Sequence, residues 1–170
     1  MRLFKVLINT KALLFCLGLL PCTVLAESAL VQVYLGQADL GAENADSLYG
    51  VQYLSGARLT RFDFIPLGGV MRTRYESHFA YVGLSRVSYL RSKGAGFSFS
   101  LEFAPGLYLH GGKADTDLAF PLQFQSAVGL GYDFQDGTRL GVHFSHLSNA
   151  SLTDENPGTE TLTLRYGLRL

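Results

Sequence analysis

The sequence predicts an all-β protein, an eight-stranded antiparallel transmembrane β-barrel, on three observations. Apolar and polar residues alternate with period two through most of 29–170, the pattern of strands with two unlike faces. The connections alternate between about ten residues and two to five, as in bacterial outer-membrane barrels. The polar face is made of Gly, Ser, Ala and Gln, and beyond residue 26 the only lysines are Lys93 and Lys113. A soluble protein of this size covers itself with Lys and Glu.

Residues 1–26 read as a secretion signal. Arg2, Lys5 and Lys11 make the start positive, 12–20 is a short apolar run, and Val24-Leu25-Ala26 offers small residues for cleavage before Glu27. The run is shorter than the roughly 18 apolar residues of a spanning helix, and Pro21 before Cys22 fits a lipoprotein site poorly. Removal leaves 27–170, 144 residues, as one barrel domain. Cys16 and Cys22 leave with the signal, which excludes disulfides, metal thiolates and a cysteine nucleophile. The remaining 11 basic and 14 acidic residues give a net charge of −3, which argues against a nucleic-acid partner.

Eight strands follow, near 29–37, 48–54, 58–72, 78–90, 96–109, 121–134, 138–148 and 160–170. Pro66 and Gly68-Gly69 make the third the least regular. The fifth alternates Phe97, Phe99, Leu101 and Phe103 against Ser98, Ser100 and Glu102. The sixth sets Leu122, Phe124, Val128, Leu130, Tyr132 and Phe134 against Gln123, Gln125, Ala127, Gly129, Gly131 and Asp133. Asp136-Gly137 is a two-residue hairpin signal that opens the seventh strand. The last alternates Leu162, Leu164, Tyr166, Leu168 and Leu170 against Thr163, Arg165, Gly167 and Arg169. Long connections at 38–47, 110–120 and 149–159 then share one end of the barrel. A soluble lipocalin-type barrel would also alternate, with its polar face outward. Small polar side chains fit a narrow interior better than a solvated surface, and aromatic residues toward strand ends suit a membrane girdle. The final Leu170 departs from the aromatic residue that ends many such barrels.

The chemistry-bearing segment is 141–150. Leu140, Val142 and Phe144 are apolar and even-numbered, so His146 and Ser148 share their outward face, whereas His143 and Ser145 face the interior. The even apolar positions of the last strand, continued backward, put Glu160 outward too. Ser148 and Glu160 lie at the loop-proximal ends of neighbouring strands, with His146 between a hydroxyl and a carboxylate. Such a set provides a nucleophile, a base and an orienting acid. Oxyanion donors would be the Asn156 side-chain amide and the backbone N–H of Asn149. His-x-Ser alone is weak, since His143-Phe144-Ser145 repeats it, and an interfacial polar rim is the bland alternative.

His146-Leu147-Ser148-Asn149-Ala150, followed by Asn156-Pro157-Gly158 and Glu160, resembles the C-terminal signature of PagL-type lipid A 3-O-deacylases. The motif match covers about 141–170; elsewhere the likeness is in signal, size and strand pattern. The resemblance implies an eight-stranded barrel in the bacterial outer membrane. It implies hydrolysis of the ester that holds a 3-hydroxyacyl chain at position 3 of lipid A. Carried over residue by residue, Ser148 is the nucleophile, His146 the base, Glu160 the third member, and Asn156 and Asn149 belong to the oxyanion hole. No metal and no organic cofactor is implied.

The geometry expected of the strands agrees with that substrate. With termini on the periplasmic side, the seventh strand runs outward from Asp136-Gly137 and reaches Ser148 after about one bilayer crossing. The expected partners are lipopolysaccharide and the membrane, with a homodimer as a further option. The competing readings are an outer-membrane phospholipase or acyltransferase, and a non-catalytic adhesion or structural barrel. Arg74 and Lys113 are candidate contacts for lipid A phosphates. Asp39, Glu43, Asp46, Asp115 and Asp117 read as solvated loop carboxylates, too few in any one place for a calcium site.

Overall fold

A computed structural model describes residues 24–26, 28–40, 45–59, 62–92, 95–112 and 115–170. Residues 1–23 of the expected signal, with Cys16 and Cys22, lie outside the described residues, as do Glu43, Lys93 and Lys113. The eight barrel strands are β1 (Leu30–Ala38), β2 (Asp46–Leu54), β3 (Phe64–Thr73), β4 (His78–Ser92), β5 (Ala95–Leu109), β6 (Leu122–Asp133), β7 (Thr138–Ser148) and β8 (Thr159–Arg169). Each pairs antiparallel with its neighbours in sequence, and β8 pairs with β1, from Thr161↔Ala38 to Arg169↔Leu30, to close the ring. Closure leaves no strand edge unpaired.

The polarity is inside out. Val82 is 69 % and Leu35 64 % exposed, while Arg165 is 2 % and Glu102 7 % exposed. That distribution matches hydrocarbon outside and rules against a soluble lipocalin-type barrel, whose outer face would be polar. Strands of 9 to 15 residues are long enough to cross a bilayer at a tilt.

A network of buried side chains fills the lumen. Arg165 donates from Nη1 to Gln52 Oε1 at 2.9 Å and to Glu102 Oε2 at 3.4 Å. Gln52 Nε2 donates to Glu102 Oε1 at 3.2 Å, and Tyr81 donates to Gln52 Oε1 at 2.8 Å. The Arg165 guanidinium lies 4.8 Å from the Tyr34 ring. A second set, Asp133 with Arg139 and Arg169, lies nearer the tight-turn end, beside Asp136-Gly137. Removing one partner of a buried pair strands the other charge. Glu102→Ala should therefore destabilise the barrel by about 3–5 kcal/mol, read as a lower urea midpoint in detergent micelles. Replacing Glu102 and Arg165 together by Met should cost less.

Three sequence expectations need correction. The third strand, expected over 58–72, is two pieces. Ala57–Leu59 pairs with Val24–Ala26 outside the ring, and β3 begins at Phe64. At the break Phe62 and Asp63 both donate backbone N–H to Leu59 O, with Asp63 left-handed at φ 60°. The long-loop end also carries a short connection, 74–77, between β3 and β4. Finally, Asp46 and Asp115 are buried, not solvated. Asp115 accepts from Thr73 Oγ1 at 2.6 Å and from the Ser77 N–H at 3.1 Å, tying loop 110–121 to the β3–β4 turn. Burial raises its pKa, but the bonds from Ser77, Thr73 and Asp46 outweigh that and hold it below the ordinary value.

Candidate active site

Strand parity sorts the histidines. β7 alternates regularly between buried and exposed positions, so His146 faces outward and His143 lies in the lumen. His143 Nδ1 is 3.9 Å from Glu102 Oε2, in the interior network and away from the outer patch. On β8, Glu160 is outward and sits directly across from His146 in the ladder. The two are hydrogen-bonded, His146 Nδ1 to Glu160 Oε1 at 2.9 Å. A carboxylate only accepts, so Nδ1 carries the proton and Nε2 is left as the basic nitrogen. Ser148 is on the same outward face, one pleat further along β7, and is half-buried.

β6 supplies the other flank. Phe124 is across from Ser148 and Ser126 across from His146. Phe124 stacks on Phe103 of β5 at 6.0 Å between ring centroids. Beyond those rings lies an apolar groove of about 710 Å³ that includes Phe103, Pro105, Val82 and Leu84. The patch of His146, Ser148 and Glu160 is thus a small polar island at the loop-proximal end of a surface otherwise made of hydrocarbon side chains. Among the described residues no group of three or more His, Cys, Asp or Glu converges as a metal site.

Loop 149–158 folds back on itself beside this patch. Asn149 is fully buried, and its Nδ2 donates to Glu155 O at 2.7 Å and to Thr153 Oγ1 at 3.0 Å. Its backbone N–H donates to Asn156 Oδ1 at 2.9 Å. That N–H, the expected second oxyanion donor, is therefore already engaged. The bond fixes the amide plane of Asn156 and leaves Nδ2 as that side chain's donor. The turn after the serine is strained: Ala150 and Ser151 are both left-handed, at φ 54° and 60°.

Gly158 is a site residue that sequence reasoning placed only in the loop. Its φ is +65°, and a Cβ built there would lie 2.9 Å from His146 Cε1 and 3.3 Å from Leu147 O. The glycine is thus the wall against which the imidazole rests. The signal available beforehand was an Asn-Pro-Gly turn two residues before Glu160. With His146 as the expected base, Gly158→Ala should keep the barrel folded and lower turnover by about tenfold to a hundredfold, because sub-ångström displacement of a base is costly. Steady-state assay of the purified variant, with circular dichroism as the fold check, reads this.

Comparison with known proteins gives a consistent picture. The family described as lipid A 3-O-deacylase (PagL) matches over residues 43–169. The chain is 36% identical over 53 residues to the lipid A deacylase PagL of Bordetella bronchiseptica, and 38% identical over 52 residues to that of Pseudomonas aeruginosa. Each alignment covers 31% of this chain and 30% of the relative, so the aligned segment spans under a third of either curated protein. The crystal structure of the outer membrane enzyme PagL superposes with a TM-score of 0.68 at 18% identity, over 83% of this chain and 99% of that one. Neisserial surface protein A superposes at 0.52 with 12% identity, over 85% and 99%. At these identities both structures speak to the fold alone.

Proposed function

The chain belongs to the lipid A 3-O-deacylase (PagL) family of outer-membrane β-barrel ester hydrolases, and on that premise we propose that it hydrolyses the 3-hydroxyacyl ester at position 3 of lipid A with a Ser148-His146-Glu160 triad. The observation that carries the proposal is the 2.9 Å bond between His146 Nδ1 and Glu160, on the outward face that also bears Ser148. Residues 1–26 are proposed as the cleaved export signal and 27–170 as the mature domain.

In this reading the loop-rich end faces the cell exterior, and lipopolysaccharide of the outer leaflet reaches the site laterally. Ser148 Oγ attacks the ester carbonyl carbon while His146 Nε2 takes its proton. Glu160 accepts the Nδ1–H, holds the ring in the productive tautomer and stabilises the imidazolium. Asn156 Nδ2 donates to the developing oxyanion, with Asn149 as the residue that positions it. His146 then returns the proton to the departing sugar oxygen, which leaves as the free 3-hydroxyl and an acyl-Ser148. Water, deprotonated by His146, attacks that ester and releases a 3-hydroxy fatty acid. No step requires a metal or organic cofactor.

Mass spectrometry of lipid A incubated in detergent with the refolded protein tests this directly. The expected products are lipid A short of one 3-hydroxyacyl chain and the free hydroxy acid in equal amounts. An acyl chain appearing on another acceptor would replace hydrolysis with transfer. Untouched lipid A beside hydrolysed phospholipid would make the protein a phospholipase.

A further inference from the structure

We propose that the outer rim of β2 and β3 is a second lipid site, which holds a phosphate-bearing lipid of the outer leaflet on Arg72 and Arg74. The inference rests on the outer-leaflet placement of this barrel end and not on the catalytic chemistry. β3 is four strands from β7 whichever way the ring is followed. A molecule bound there is not the one undergoing hydrolysis.

The outward face of β3 ends in Arg72, flanked in register by Tyr49 of β2 and His78 of β4. Arg74 lies just past the strand. Its backbone N–H donates to Ser47 O at 2.8 Å, which fastens the turn to the end of β2. Its guanidinium is 5.7 Å from the Tyr75 ring. Ser47, Tyr49, Arg72, Thr73 and Arg74 together line a concavity of about 380 Å³. Adjoining it, Val33, Val51 and Val70 line an apolar groove of about 380 Å³ that shares Tyr49 and Arg72 with the polar concavity.

Charge and shape select the ligand together. Glu76 accepts from Arg72 Nη2 at 3.0 Å, which uses one of five guanidinium donors and leaves the two arginines in excess over one carboxylate. A guanidinium fork matches phosphate oxygens bidentately. Cations facing hydrocarbon are costly unless they meet a counter-charge at headgroup level. The groove continues from that level along the lipid-facing surface, and its valine lining suits an acyl chain. A phosphate above and a chain below are the two parts of one amphiphile. A free phosphate would fill only half of the site.

The chain contains no tryptophan, so Tyr49→Trp installs a single reporter in the rim. The full barrel, carrying Ser148→Ala to prevent turnover, is refolded in detergent and titrated with diphosphoryl lipid A. A saturable emission shift is expected. Its midpoint should rise at least tenfold with the same lipid stripped of both phosphates, and at least tenfold in the Arg72→Gln/Arg74→Gln variant. Inorganic phosphate alone should leave the emission unchanged. Equal midpoints with and without lipid phosphates, measured with Arg72 and Arg74 in place, would overturn the proposal whatever the folding of the double variant. An unmoved midpoint in that variant, or a response to inorganic phosphate, would overturn it as well. A barrel that binds lipid here yet, with Ser148 restored, hydrolyses none would refute the catalytic reading and leave this one standing.

Discussion

Ser148→Ala and His146→Gln should each lower lipid A deacylation by about 10⁴- to 10⁶-fold, and the double variant should be no slower than either alone. The reason is that the two act as one unit. Without the base the hydroxyl keeps its proton, and without the hydroxyl the base has nothing to activate. Glu160→Ala should be roughly a hundredfold milder, as third members of such triads generally are. Here the geometry favours that order. Glu160 acts only through the His146 Nδ1–H, 2.9 Å away, so a ring left without it keeps a basic nitrogen and loses orientation and charge stabilisation. All three positions point away from the lumen, and none belongs to the Arg165–Glu102 network that fills the barrel. The variants should therefore refold with native heat-modifiable mobility on gels. The check is release of 3-hydroxy fatty acid against time, on protein shown to be folded. Full activity in Ser148→Ala would remove the mechanism. A double variant far slower than both single ones would mean that the two residues act separately.

Much of this architecture was legible because a barrel strand exposes its two faces to opposite media. Period two gave seven of the eight ring strands to within two residues at each end, and continuing the parity through Phe144 and Leu162 put His146 and Glu160 outward and His143 inward. What escaped depends on contacts that no local pattern encodes. The lumen pairs join β8 to β2 and β5, so Arg165, Gln52 and Glu102 meet only once the ring closes. The break in the third strand uses Asp63 at a left-handed φ, where a glycine would have advertised the turn. Asp46 and Asp115 read as solvated because loop residues usually are, yet both are buried and accept bonds from the β3–β4 turn. The row formed by Tyr49, Arg72 and His78 lies on three strands and becomes a surface feature only through their register.

The Asn149–Asn156 bond turns the second large prediction into a test of role as well as of size. Asn156→Leu should cost about 10²–10³ in turnover if the side chain is the oxyanion donor, with little change in KM because the interaction develops only in the transition state. Leucine, however, also removes the acceptor for the Asn149 N–H, now bonded at 2.9 Å, so loss of activity alone could reflect a slackened loop. Asn156→Asp separates the two. An aspartate keeps an oxygen for the Asn149 N–H and keeps the shape, but it has no donor and adds negative charge where negative charge must develop. A loop-bracing role predicts near-normal turnover for the aspartate variant. An oxyanion role predicts that it is at least as slow as the leucine variant, by the larger electrostatic penalty. Measuring kcat for both, with limited proteolysis of loop 149–158 as the monitor of its order, distinguishes the outcomes. The expected result is an intact loop in Asn156→Asp together with the lower rate of the two.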